Sequence, residues 1–238
     1  MAELIWELVP VVFGIVASPL AIIALVAVLL SKRPKLNGTM YLFGWILGVS
    51  IALSASYAVF GYFELEAQRE PPLWVPFARL VLATVLVAGA VWTYRRAHRR
   101  TLKMASARSP MEIAEAAPQL PGWLQAVEHF SPGRSFLLGS GIFLLNPVNM
   151  SCAIVASLDV RLAEVGSSAS MWVLIVFAVI SISPMAIPVV LVAVKGRDAE
   201  PFLNGVRGWI ASHNTTLTVV LLAMVAFMQV QKAIPFLF

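Results

Sequence analysis

The sequence predicts an all-α integral membrane protein. Its six transmembrane helices form two inverted three-helix repeats, with helices one and four broken. Three observations carry the prediction. The 238-residue chain is 60% hydrophobic and only 12% charged, with a mean hydropathy of +0.86; a soluble domain carries about 25% charged residues. Apolar runs of about 18 residues or more, enough to cross a bilayer, recur at roughly 8–30, 40–63, 73–94, 136–158, 170–194 and 215–236. A helix breaker sits inside the first and the fourth of these: Ser18-Pro19 and Asn146-Pro147. The spans are helical because lipid offers no partner to an unpaired backbone group.

The first span, FGIVASPLAIIALVAVLLS, and the fourth, LLGSGIFLLNPVNMSCAIVASL, share one design. Proline lacks an N–H and clashes with the preceding turn, so the carbonyls of Ile15 and Phe143 lose their helical donors. Ser and Asn are favoured N-caps, and Pro is favoured at the first helical position after a cap. Each pair therefore reads as a stop followed by a new start. Ten helical residues, 136–145, precede the second break; they rise about 15 Å, half of a roughly 30 Å hydrocarbon core. The first break reaches the same depth if its span begins near Leu8. The offset between the pairs is 128 residues (146 minus 18), and the same offset carries Gly44-Trp45 in span two onto Trp172-Val173 in span five. Three spans per half is an odd number, so the second half enters from the opposite side, a plan common among secondary transporters.

The half-helices that follow the breaks run in opposite directions from the midplane, with their N-termini facing each other. Each end presents free N–H groups and about half a positive charge, a setting that binds phosphate, sulfate or carboxylate. Ser18, Pro19, Asn146, Pro147 and Asn149, one turn after Asn146, are the candidate substrate-binding residues. Gln229 in span six either faces the same cavity or bonds a neighbouring helix. Two proline kinks absorbed by packing are the structural alternative. No Asp, Glu, Lys or Arg lies deep in any span, so the carboxylate relays of proton-coupled carriers are not expected. Charges sit at the outer edge: Glu64, Glu66, Arg79 and Asp159. Arg79 either snorkels to the interface or pairs with Glu64.

Span two carries Gly44 and Gly48, continued at the same spacing by Ala52 and Ser56. This stripe serves either as a homodimer seam or as packing within one bundle. Span five carries Ser183-Pro184 and Pro188, a third break or a hinge.

The loops set the topology. Lys32, Arg33 and Lys35 follow span one. Arg95, Arg96, Arg99, Arg100, Lys103, Arg108 and Arg134 separate spans three and four. Lys195, Arg197 and Arg207 separate spans five and six. The other side holds only Arg69, Arg161 and Lys232. The positive-inside rule makes the richer side cytoplasmic and both termini external. The net charge of +5 is thus a topology signal with an affinity for anionic headgroups, and nucleic acid is not an expected partner. The N-terminal MAELIWELVP lacks a basic n-region, so no cleaved signal peptide is expected. The organisation is residues 1–94 as the first repeat, 95–135 as a basic loop and 136–238 as the second repeat. Within the loop, 121–130 forms a short interfacial helix or an ordered linker. One cysteine, Cys152, and three scattered histidines supply no metal site. No catalytic motif and no cofactor motif appears, so the chain is not expected to be an enzyme.

The segments SPLAIIALVAVLLSKRPKLNGTMYLFGWILGVSIAL (18–53) and PGRSFLLGSGIFLLNPVNMSCAIVA (132–156) resemble the GAP family of mycobacterial lipid-addressing proteins, within the lysine exporter (LysE) superfamily. The likeness spans essentially the whole chain; Pro132-Gly133-Arg134 and Asn146-Pro147-Val148-Asn149 are its most specific part. It implies an actinobacterial inner-membrane protein that moves cell-envelope glycolipids outward. Relatives often read Asn-Pro-Lys-Asn where this chain has Val148, so a buried cation is not carried over.

The expected function is transport or flipping of anionic or glycosylated envelope lipids, with the headgroup held at the two half-helix N-termini. Lipid-synthesis or export proteins are further candidate partners. Two alternatives stand beside it: a LysE-type exporter of small solutes, and a membrane scaffold that docks lipid-synthesis enzymes through 95–135.

Overall fold

A computed structural model describes residues 2–62, 74–106, 130–163 and 165–236. These residues form α1 (Ala2–Val16), α2 (Pro19–Leu29), α3 (Pro34–Tyr62), α4 (Trp74–Ser106), α5 (Pro132–Leu145), α6 (Pro147–Leu162), α7 (Ser167–Lys195) and α8 (Glu200–Ala233), with short 3₁₀ turns at Gly196–Ala199 and Ile234–Phe236. Among the described residues there is no strand. The stretch 121–129 and Glu64 lie outside them.

The helices are those of a multi-pass membrane protein. Three helical runs are long and apolar enough to cross a bilayer, or up to five with two bent pairs counted as one span each. The bent pairs are α1–α2, at 46°, and α5–α6, at 65°. Both bends follow from the prolines. At the first, Pro19 has no N–H to give Ile15, and the Ser18 N–H bonds the Ile15 carbonyl instead at 3.1 Å; the ladder tightens and stops. At the second, Asn146 is extended (φ −82°, ψ 115°) and its side chain caps Val148 N.

The prolines of α7 do not break it; the helix is continuous from Ser167 to Lys195. Pro184 cannot donate to the Ile180 carbonyl, but the Ser183 hydroxyl does so, at 2.7 Å. A freed carbonyl refilled by a neighbouring hydroxyl is how membrane helices tolerate proline. The third break considered from the sequence is therefore absent.

The run Ser167–Ala233 reads as one 67-residue apolar segment, yet it goes out and back. Trp172, near its start, shares a groove with Ile5 of α1. Lys232, near its end, bonds Glu7 of the same helix at 2.8 Å. Between them the turn at Gly196 lies beside Arg33 and Lys35, with φ +58° at Gly196, a backbone that glycine adopts without steric cost. The bundle thus has two ends. Glu7, Arg79, Asp159 and Lys232 mark one. Arg33, Lys35 and Arg197 mark the other, the basic end.

α3 and α5 are seated on each other through glycine. A Cβ on Gly44 would strike the Phe136 carbonyl, and one on Gly139 would strike the Tyr41 carbonyl. A Cβ on Gly48 would come within 2.8 Å of Phe143 Cβ, where Phe143 packs edge-on against Trp45 at 4.9 Å. The small-residue stripe is a seam within this chain, so Gly44 and Gly48 are not free to form a dimer surface.

Candidate functional site

The two breaks meet. Asn146 Nδ2 donates to Ser18 Oγ at 3.3 Å, across the 128 residues that separate them. Asn146 also accepts from Val148 N at 2.9 Å, so its amide caps α6 and holds α2 at once. The Ser18 side chain does not cap α2. Its first turn, opened by Pro19, keeps its N–H groups and its positive dipole end for another acceptor.

These residues face a cavity of about 830 Å³. Ser18, Pro19, Asn146 and Pro147 form its floor, with Gly14 and Val148 beside them. Its walls are Val85 to Arg96 of α4, Leu137 to Leu145 of α5, and Asn214 to Leu222 of α8. From Leu86 to Arg96, α4 rises about 15 Å, so the cavity fills the half of the bundle between the breaks and the basic end. It opens sideways between α4 and α5, where large apolar side chains stand uncovered: Leu145 is 85% and Leu137 67% exposed. Among the described residues the only charged side chain lining it is Arg96, whose guanidinium lies 5.2 Å from the Trp92 ring centroid. Asn214, Thr218 and Thr93 add polar groups along the walls.

In the other half of the bundle the side chains between α1, α6 and α8 are buried. Val11, Ile15, Val155 and Val225 are each at most 1% exposed. Above them sits a cluster of ion pairs. Asp159 Oδ1 holds Arg79 at 2.7 Å, and its Oδ2 holds Lys232 at 2.7 Å. Lys232 reaches on to Glu7 at 2.8 Å, and Arg79 also donates to Gln229 Oε1 at 3.0 Å. α1, α4, α6 and α8 are thereby tied together. A little farther round, the Arg161 guanidinium covers the Tyr57 ring at 3.5 Å and bonds its carbonyl.

Four of the six residues expected to bind substrate, Ser18, Pro19, Asn146 and Pro147, come together at the cavity floor. Asn149 does not line it. That side chain is fully buried, and both atoms of its amide group lack a partner among the described residues. Gln229 does not line it either; its Oε1 orients Arg79 and its Nε2 has no partner among the described residues. Arg79, expected to snorkel or to pair with Glu64, is 4% exposed and paired with Asp159. The pairing prevails because α4 packs along α8 and turns that face inward. Sequence reasoning gave Arg96, Asn214, Thr218, Glu7 and Lys232 no part in a site. The placement of Lys232 on the same side as Asp159 was the available signal for the cluster.

The sequence profile of the SfLAP family, described as Sap, sulfolipid-1-addressing protein, matches residues 8–235. No match to a curated protein or to a solved structure was found. The match covers nearly the whole chain, and the chain belongs to this sulfolipid-1-addressing protein family.

Proposed function

We propose, from that membership and from the cavity, that this membrane protein transports or flips anionic or glycosylated envelope lipids across the inner membrane. One observation carries the reading: the Asn146–Ser18 contact lies at the floor of a cavity that opens sideways between α4 and α5. A lipid needs such a mouth, because its headgroup must reach a polar interior while its acyl chains stay in the bilayer. A carrier of free solutes has no use for an opening into lipid.

The proposal includes six spans: α1–α2, α3, α4, α5–α6, α7 and α8, the first three inverted onto the last three. The out-and-back course of α7 and α8 supports counting them as two. The matching bends, each at the middle of a pair, support the repeat. The basic end is cytoplasmic by the positive-inside rule, so the cavity faces the inner leaflet. An anionic headgroup enters past Arg96, the one cation on the wall among the described residues. It then moves to the uncapped start of α2, where Ser18 O–H and backbone N–H groups receive it. Rocking of the two halves about the paired breaks carries it across.

The test is lipid profiling of surface and inner membrane in a deletion strain, rescued with wild type, Asn146→Ala or Ser18→Ala. Loss of one lipid from the surface, its accumulation inside, and restoration by wild type alone are expected. Rescue by both variants with an unchanged surface would reduce the breaks to structural kinks. In that event, removal of the arginines in 95–135 separates the scaffold alternative, which needs them, from solute export, which does not.

A further inference from the structure

We infer that Glu7, Lys232, Asp159 and Arg79 are the outward gate of the transport path, and that this cluster must part before lipid is released. The inference rests on the transporter reading above and adds residues to which that reading gives no part.

The large cavity lies on one side of the breaks; on the other, the side chains between α1, α6 and α8 are buried beneath the ion pairs. Under the proposed repeat, α1 corresponds to α5 and α8 to α4. The open mouth between α4 and α5 is then equivalent to the seam between α8 and α1. That seam is the one bridged by Lys232 and Glu7. The two equivalent gaps are thus in opposite states, open at the basic end and tied at the other, as alternating access requires.

The chemistry of the seal fits a joint that opens. An apolar seam exposed to water on opening would carry a hydrophobic penalty in proportion to its area. Charged groups that part are hydrated instead. The cluster is graded in this sense. The Asp159 side chain is 1% exposed, Lys232 19% and Glu7 50%, so water reaches the outer rung first. Asp159 engages one cation through each oxygen. Release of Lys232 frees α8 from both α1 and α6, while Arg79 keeps Asp159 from being left unpaired.

Cys152 is a built-in reporter. It is the chain's only cysteine, fully buried, and packed against Gly14 of α1. It lies seven residues below Asp159 on α6, about 10 Å along the helix. In intact cells, the full-length protein is exposed to a charged, membrane-impermeant methanethiosulfonate, and Cys152 modification is followed by mass. Wild type should react slowly. Lys232→Gln and Asp159→Asn should react at least about tenfold faster, as a shift in population toward the outward-open state demands. Glu7→Gln, at the wet end, should show a smaller increase. Variants that are monodisperse yet react no faster than wild type overturn the gate. Equal acceleration in inside-out vesicles also overturns it, because that pattern is general loosening. If Asp159→Asn does not fold, the two variants at the wetter end decide. Failure of the transporter reading would appear elsewhere, as unchanged lipids in the Asn146→Ala strain.

Discussion

Asn146 does two jobs that substitution can separate. Its Oδ1 caps α6 through Val148 N at 2.9 Å, and its Nδ2 donates to Ser18 at 3.3 Å. Asn146→Ala removes both; loss of an N-cap costs about 1 kcal/mol. Asn146→Asp keeps the cap and places a carboxylate at a helix N-terminus, which contributes about 0.3–1 kcal/mol. The Asp variant should therefore melt no lower than wild type, and the Ala variant lower by about 2–4 °C, the shift expected per kcal/mol at this chain length. Transport should run the other way. A fixed negative charge at the floor of the cavity repels an anionic headgroup, whereas alanine only removes donors. Surface lipid in the Asp strain should fall below that in the Ala strain, although the Asp protein is the more stable. The two measurements are melting in detergent and surface lipid in rescued cells. If surface lipid instead follows melting temperature across wild type, Asp and Ala, the break is a structural device and the headgroup site is refuted.

Other substitutions test the packing around the site. Gly44→Ala drives a methyl into the Phe136 backbone and should cost about 1–3 kcal/mol, read as a lower melting point; an unchanged melting point with loss of a dimer would restore the intermolecular seam. Arg79→Ala leaves the buried Asp159 carboxylate with Lys232 as its remaining cation and should cost less than the about 3–5 kcal/mol of a buried charge left wholly unpaired; adding Asp159→Ala should recover part of that loss in a double-mutant cycle. Pro184→Ala should leave both melting and surface lipid unchanged, because Ser183 already fills the Ile180 carbonyl; a loss of transport would make that proline a hinge.

The breaks were legible because proline acts locally. Ser18-Pro19 and Asn146-Pro147 each remove one donor and offer one cap, whatever surrounds them. Pro184 shows the limit of that reasoning: the hydroxyl that rescues its carbonyl is one residue away, but whether it turns inward is decided by the rotamer. The glycine stripe announced a close helix approach without naming the partner, since Gly44 and Gly48 would look the same against α5 or against a second copy. Arg79 and Gln229 were hardest to place. Their meaning depends on α4 lying along α8, a contact between residues 150 apart that no local pattern encodes. Arg96 was read as one loop cation among many, and only the cavity wall distinguishes it from Arg95 and Arg99.

The cap and the gate are linked through the half-helices. α6 starts at the Asn146 cap and carries Asp159 near its far end, about 18 Å away along the axis. A rigid 16-residue helix cannot tilt at one end without moving the other. On the proposed transport reading, a headgroup that displaced Asn146 from Ser18 would release α6 from α2, and the resulting tilt would act on Asp159, where two cations from α4 and α8 are bound. The polar contact at the floor and the ion pairs above it would then be the two ends of one lever. The two bonds of Asn146 would divide the work on that reading: the cap on Val148 N would keep α6 helical while the bond across to Ser18 broke.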